Sequence, residues 1–305
     1  MAVPFLKWAG GKRQLLPQIQ RCTPTRFSAY AEPFLGSGAV FFDLVRRGQL
    51  PGVPVRLSDT NADLIGTYEA LRDDVEAVIR RLERLAQGHA RDAARHYYEV
   101  RDGQFNRLRA GADTAQAHSR TARLDLAAAF IYLNRTCFNG LFRTNARGAF
   151  NTPLGRYARP RICDADNLRA VARVLQHPQV TLTVADYGEV AAWLPDGGFV
   201  YFDPPYAPLS RTAHFRAYTA AGFSDEEQAR LRDLAMALAA RQVHVLLSNS
   251  VSPLTRHLYE APDVRRSGLR ACRVPARRAI STDVRGRVGV TELLVTTLRR
   301  RRRVT

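Results

Sequence analysis

Asp203-Pro204-Pro205-Tyr206 brings several reactive groups together in a short run of the chain. It follows Phe199-Val200-Tyr201-Phe202, an apolar stretch that reads as a buried strand. Two prolines stiffen the turn. A stiff turn holds a carboxylate, a main-chain carbonyl and a phenol ring in fixed relation. Those groups suit a flat heterocycle with an exocyclic amine. The carboxylate and the Pro204 carbonyl accept the two amine hydrogens, and Tyr206 stacks on the ring. A proline-rich turn without a ligand is the plain alternative. A second cluster is Glu32-Pro33-Phe34-Leu35-Gly36-Ser37-Gly38. Its glycines either admit a ligand close to the backbone or only make a tight strand-to-helix turn. Glu32 repels a pyrophosphate. It suits a ligand with positive charge and no phosphate, and the sulfonium and ammonium groups of S-adenosylmethionine meet that description. Asp59 ends the next strand, where an acid accepts from ribose hydroxyls. It is also placed to cap the helix beginning near Asn61. Both roles are compatible.

These groups need a scaffold that brings strand ends together. Apolar strands read at 27–31, 53–57, 180–184, 199–202, 243–247 and 290–298. Helical stretches lie between them: one opens at Ala39, and Val75, Val78, Ile79, Leu82 and Leu85 are spaced as on a helix. Residues 121–134 and 164–176 read as helices, and Ser224 with Glu227 forms a capping box for another, running to about Ala240. The alternation predicts an α/β fold, a parallel sheet with helices on both faces. Ligands then sit outside the carboxyl ends of the strands, where Glu32 to Gly38, Asp59, Asp186 and Asp203 to Tyr206 all fall. The region 66–163 interrupts the alternation and reads as an inserted domain, leaving 1–65 and 164–305 as the catalytic one. Within it, 88–120 is polar and arginine-rich, and 135–160 reads as two short strands about a turn.

At 305 residues, 46% apolar and 24% charged, the chain is neither disordered nor collagen-like. It carries 46 basic and 28 acidic residues, a net charge of +18. Such an excess on a folded chain points to a polyanion, most simply nucleic acid. A genome that writes arginine freely explains why all but two of the basic residues are arginine, but not their excess over acids. The two lysines, Lys7 and Lys12, cluster near the N-terminus, by chance or because a compact ammonium is wanted there. Cys22, Cys137, Cys163 and Cys272 form no CxxC pair, so neither a zinc site nor a disulfide framework is expected. No apolar run approaches the ~18 residues of a membrane span, and Met1 to Lys7 lacks a signal-peptide core. A cytoplasmic protein with no membrane or metal partner is expected.

Further motifs narrow the reading: Lys7-Trp8-Ala9-Gly10-Gly11-Lys12, Glu32-Pro33-Phe34, Ser58-Asp59-x-Asn61, Phe138-Asn139-Gly140-Leu141-x-Arg143-x-Asn145 and Phe150-Asn151-x-Pro153. Together with Asp203 to Tyr206 they resemble the Dam-type (D12 class, alpha group) DNA adenine N6-methyltransferases. The resemblance runs from Lys7 to about Tyr206, and more loosely through Glu292-Leu293-Leu294. It implies a Rossmann-like sheet using S-adenosylmethionine, with a target-recognition insert that is part helical and part β-hairpin. It also implies site residues. Trp8, Lys12, Glu32, Phe34, Gly36, Gly38, Asp59, Asp186 and Asp203 serve the cofactor, and Asp203, Pro204, Pro205 and Tyr206 hold the target adenine. Phe138 wedges into the base stack, while Lys7, Leu141, Arg143, Pro153 and Tyr157 read bases, with Asn139, Asn145 and Arg156 beside them on the DNA. Double-stranded DNA is the implied partner, with GATC as the site. The resemblance leaves room for a cognate restriction nuclease and expects a monomer.

Other readings stay open. The same chemistry could act on RNA or on the N4 amine of cytosine, or the chain could bind a DNA sequence without catalysis. An NAD-type dehydrogenase conflicts with Glu32. No cysteine follows a proline, which counts against cytosine C5 methylation. The Arg299 to Arg303 tail reads as a solvated, mobile end, or as a phosphate contact.

Overall fold

The structure is a computed structural model that describes residues 1–8, 10–110, 119–208, 223–276 and 290–298; the Arg299 to Arg303 tail lies outside them. Its strands are β1 (Tyr30–Glu32), β2 (Val55–Asp59), β3 (Val180–Val184), β4 (Phe199–Phe202), β5 (His244–Ser250), β6 (Arg270–Ala276) and β7 (Val290–Thr296). They form one seven-stranded sheet in the order β3-β2-β1-β4-β5-β7-β6. β1 pairs in parallel with β2 and β4, and β4 with β5, while β7 runs antiparallel between β5 and β6. The sheet is therefore mostly parallel, as the alternation of strands and helices predicts. β4 is central and buried at every position, which is why it carries no charged residue. β3 lies at one edge, and its two threonines suit the exposure it keeps there.

The chain divides into two compact units. One comprises residues 1–11, 36–47 and 59–184. Its main helices are Ala62–Arg91, kinked at Asp74, and Arg120–Thr136, which pack together. They bury Leu64, Ile65, Tyr68, Leu71, Val78, Leu82, Phe130, Ile131 and Leu133. Each such side chain taken from water contributes about 1.5–3 kcal/mol. Asn61 and Ser119 cap the two helices. The arginine-rich stretch is helical over much of its length: Ala93–Tyr98, a wide turn at Glu99–Phe105 and Asn106–Ala110, with Tyr97, Val100 and Phe105 buried. Residues 135–160 differ from expectation. In place of two strands there are only isolated bridges, Cys137 to Leu154 and Thr144 to Phe150. Asn139 (φ +54°) and Gly140 (φ +65°) turn the chain in the left-handed region, and Pro153 has no N–H to give a ladder.

The other unit comprises residues 12–35, 48–58 and 185–305. Val200, Phe202, Val245, Leu247, Leu293 and Val295 of the sheet pack with Leu231, Ala235 and Leu238 of helix Asp225–Ala240. Ser224 caps that helix, accepting from Glu227 N at 3.2 Å. The Glu227 side chain does not close the expected box. It accepts from the Tyr187 hydroxyl at 2.7 Å.

Candidate active site

The chain leaves buried β4 directly into Asp203, whose side chain is 21% exposed. Its Oδ1 takes Lys12 Nζ at 2.7 Å and the Ser248 hydroxyl at 2.9 Å. Ser248 Oγ also lies 2.9 Å from the Tyr201 hydroxyl. A serine has one proton to give, and Ser248 gives it to the carboxylate, so Tyr201 donates to Ser248. Among the described residues no donor reaches Oδ2. The described residues thus anchor the carboxylate through one oxygen. Burial raises the Asp203 pKa above its ordinary value, and Lys12, then Ser248, pull it back.

The rest of the turn is braced the same way. Pro205 O accepts from Gln228 Nε2 at 2.9 Å, and Ala207 O from Ser250 Oγ at 2.6 Å. Ala207 N donates to Asn249 Oδ1 at 3.1 Å, and Asn249 Nδ2 donates to Gln228 Oε1 at 2.9 Å. Among the described residues no donor reaches the Pro204 carbonyl. Among the described residues, then, the turn keeps two acceptors without a donor, Asp203 Oδ2 and Pro204 O. Lys12 Nζ also lies 4.6 Å from the centroid of the Tyr206 ring. The Tyr206 hydroxyl donates to Glu292 Oε2 at 2.7 Å. Burial raises the phenol pKa, aided by the Asp203 and Glu292 carboxylates, so this hydroxyl stays a donor.

In the same unit Glu32 ends β1 at 2% exposure and accepts from the Tyr30 hydroxyl at 2.7 Å. Phe34 stacks on Tyr187, ring centroids 5.2 Å apart, and meets Phe202 and Phe223 edge-on. Asp186 caps the short turn Tyr187–Glu189: its Oδ1 accepts from Gly188 N at 2.9 Å and from Arg230 at 2.7 Å.

Trp8, Gly36, Gly38 and Asp59 belong to the other unit. Gly36 (φ +47°) and Gly38 (φ +64°) are both left-handed, a conformation costly for other residues. A Cβ on Gly36 would come within 2.7 Å of Trp8 Cδ1, so the indole also demands glycine there. Asp59 accepts from Gly36 N at 3.2 Å and from Asn61 N at 3.0 Å. It ties the glycine loop to the end of β2. The cap of helix Ala62–Arg91 is Asn61, which accepts from Leu64 N at 3.1 Å. Burial raises the Asp59 pKa, and these backbone donors oppose the rise.

The base-reading candidates gather on the 137–157 loop and on Lys7 of this unit. Asn134 is the clip: its Oδ1 accepts from Lys7 N at 2.8 Å, and its Nδ2 donates to Lys7 O at 2.7 Å and Gly140 O at 3.2 Å. Lys7 Nζ sits 3.5 Å from the Tyr157 ring centroid. Burial, and Arg135 after it, lower the Lys7 pKa. Phe138 is 48% exposed, an unusual place for a large apolar ring, and its N–H bonds Pro153 O at 2.9 Å. Leu141 N bonds Phe138 O at 3.2 Å, and Asn139 sits at the left-handed turn between them. Arg143 is exposed, with Nε on Asn151 Oδ1 at 2.9 Å. Asn145 Oδ1 is spent inside the loop, accepting from Arg147 N and Ala149 N, both at 3.0 Å. Arg156 is exposed.

Three supporting residues carry no motif of their own. Ser248 and Gln228 brace the turn, and Asn134 clips the loop. A polar run, Ser248-Asn249-Ser250, at the end of an otherwise apolar strand is the one sequence signal for the brace, since buried polar groups must find partners. Among the described residues no group of three or more His, Cys, Asp or Glu side chains is placed to hold a metal ion. Nor is any helix among them long and apolar enough to cross a membrane.

The chain has extensive relatives. A type II methyltransferase of Lactococcus lactis subsp. cremoris is 36% identical over 298 residues, 96% of this chain and 94% of the relative. A type II methyltransferase of Methanocaldococcus jannaschii is 36% identical over 303 residues, 96% of this chain and 98% of the relative. The DNA adenine methylase of Escherichia coli strain K12 is 37% identical over 290 residues, 95% and 93% of the two chains. The family model described as D12 class N6 adenine-specific DNA methyltransferase matches residues 8–271. With a mostly parallel α/β sheet and Asp-Pro-Pro-Tyr at the end of its central strand, the chain belongs to the D12 class of N6 adenine-specific DNA methyltransferases.

Proposed function

We propose that this enzyme transfers the methyl group of S-adenosylmethionine to N6 of an adenine extruded from double-stranded DNA, within GATC. The observation that carries the reading is the turn after β4, which sets Asp203 Oδ2 and Pro204 O, two acceptors that no described donor reaches, in one short run with Tyr206. An exocyclic amine offers two hydrogens. Asp203 Oδ2 and Pro204 O accept them and favour a pyramidal nitrogen with a localised lone pair. Tyr206 stacks on the base. Phe138, aromatic and exposed, fills the gap in the stack and offsets part of the few kcal/mol that extrusion costs. S-adenosylmethionine supplies an electrophilic methyl group, so no protein nucleophile is required. The buried Glu32 carboxylate suits the cation and disfavours a pyrophosphate. Asp59 takes the ribose and Asp186 faces the adenine of the cofactor, with Trp8, Lys12, Phe34, Gly36 and Gly38 completing its surroundings. The protein's contribution is positioning, and charge aimed at the nitrogen as it becomes positive.

Target choice falls to Lys7, Leu141, Arg143, Pro153 and Tyr157, with Asn139, Asn145 and Arg156 on the backbone or loop frame. Residues 66–163 then act as the target-recognition domain, and 1–65 with 164–305 as the catalytic one. The net charge of +18 supports a polyanionic substrate. The test maps every modified base in unmethylated plasmid exposed to the protein and S-adenosylmethionine. N6-methyladenine confined to GATC is expected. N4-methylcytosine, or transfer to RNA alone, overturns the reading, and N6-methyladenine elsewhere overturns the site.

A further inference from the structure

Glu292 is drawn into the active corner without belonging to its tetrapeptide. It sits on β7, between Ser250 of β5 and Val274 of β6, so its backbone is fixed on both sides. Its Oε2 accepts the Tyr206 hydroxyl at 2.7 Å. A hydrogen bond to an ionised acceptor is among the stronger ones, and it grips the ring at the end farthest from the backbone. Lys12 Nζ holds the same ring through its face, 4.6 Å from the centroid, while forming its ion pair with Asp203 at 2.7 Å. The cation at its face therefore restrains the plane of the ring and ties it to the Asp203 carboxylate, and the anion fixes where its far end lies.

We propose that Glu292 is a positioning residue for methyl transfer, acting through the Tyr206 hydroxyl to hold the ring in the position from which it stacks on the extruded base. The inference rests on the adenine-methylating reading above. Rotation of Tyr206 about its Cα–Cβ bond would swing the hydroxyl off the carboxylate, so the bond resists the motion that would spoil stacking. The carboxylate also pushes electron density into the phenol, which strengthens the ring's attraction for a cation at its face.

A double-mutant cycle isolates this action. Wild type, Glu292→Gln, Glu292→Ala, Tyr206→Phe and the two double variants are compared by single-turnover methyl transfer to a GATC duplex at saturating S-adenosylmethionine. DNA affinity and 2-aminopurine fluorescence at the target position are recorded alongside. Glu292→Ala should slow transfer about tenfold, with DNA affinity within about threefold of wild type and a lower 2-aminopurine signal. Glu292→Gln, which keeps shape and an acceptor, should fall between. In the Tyr206→Phe background, where the hydroxyl is gone, the same Glu292 substitutions should change the rate less than about twofold. Equal slowing in both backgrounds would make Glu292 a prop of the sheet and overturn the proposal, as would no slowing in either. Should Glu292→Ala fail to fold, Glu292→Gln carries the cycle alone. Wild-type protein that methylates no adenine defeats the functional reading, and this inference with it.

Discussion

In the turn after β4, the bonds to Asp203, Pro205 and Ala207 come from side chains: Lys12, Ser248, Gln228, Asn249 and Ser250. In the 137–157 loop the main chain does much of the work, through Phe138 N to Pro153 O, Leu141 N to Phe138 O and Asn145 N to Ala149 O, and side chains such as Asn134, Asn106 and Tyr97 bond mostly to its backbone. The first arrangement fixes charged groups to within the length of a hydrogen bond, which is what a chemical step requires. The second fixes a backbone path and leaves Arg143, Arg156 and Phe138 exposed at the surface. Substituting a brace in the turn should therefore cost rate. Substituting the loop should cost discrimination and leave the chemistry in place.

Asp203→Ala makes the largest break. It should lower methyl transfer by about 10³-fold or more while DNA binding, measured by fluorescence anisotropy, stays near wild type. Lys12→Met comes next. It strips the cation from a pair in which Lys12 is 5% and Asp203 21% exposed, and should cost about 3 kcal/mol of stability in chemical denaturation. It also carries a pH signature. Burial already raises the Asp203 pKa, and Lys12 is the main influence opposing it. Without Lys12 the carboxylate binds its proton more readily, so the acid-side loss of rate should begin at higher pH than in wild type. Ser248→Ala should move that limb the same way by less, because its hydrogen bond is the lesser counterweight. A limb that stays put in both variants would detach Asp203 from the rate.

Substitutions in the loop should cause smaller, different losses. Asn134→Ala removes bonds to Lys7 and Gly140 and should cost about 1–3 kcal/mol of stability. Its ratio of kcat/KM on GATC to that on a site changed at one base should also fall. Arg143→Ala should relax that ratio by ~1–3 kcal/mol at a single position, with single-turnover rate on GATC within a few-fold of wild type. Smallest is Arg230→Ala, which breaks a half-exposed pair with Asp186 and should shift stability by about 0–1 kcal/mol.

Apolar stretches declare themselves in the sequence. Phe199–Phe202 and Val180–Val184 read as strands and are strands, and the ends of β1 and β2 place Glu32 and Asp59 where an open sheet binds ligands. β6 escapes notice because Arg270, Arg273 and Pro275 break its apolar pattern, as is tolerable in the last strand of a sheet. Helix Ala62–Arg91 shows only its second half by spacing, since the kink at Asp74 breaks the register. The loop's bridges replace strands because turns at Asn139 and Gly140 depend on backbone angles that composition does not reveal. In the site, Asp203 to Tyr206 are legible as a motif. Gln228 and Asn134 are not, because a lone polar side chain acquires a role only from partners far along the chain, and Ser248 shows itself only through the polar run that ends its apolar strand.

The role of the Asp203 carboxylate is read out by single-turnover methyl transfer by Asp203→Asn on a GATC duplex, with protein and S-adenosylmethionine saturating. Asparagine keeps the shape and removes the charge that Lys12 and Ser248 hold in place. If the charge is needed for transfer, the rate falls about 10²–10³-fold below wild type, with DNA affinity and the 2-aminopurine signal of the extruded base largely kept. A rate within tenfold of wild type would contradict it.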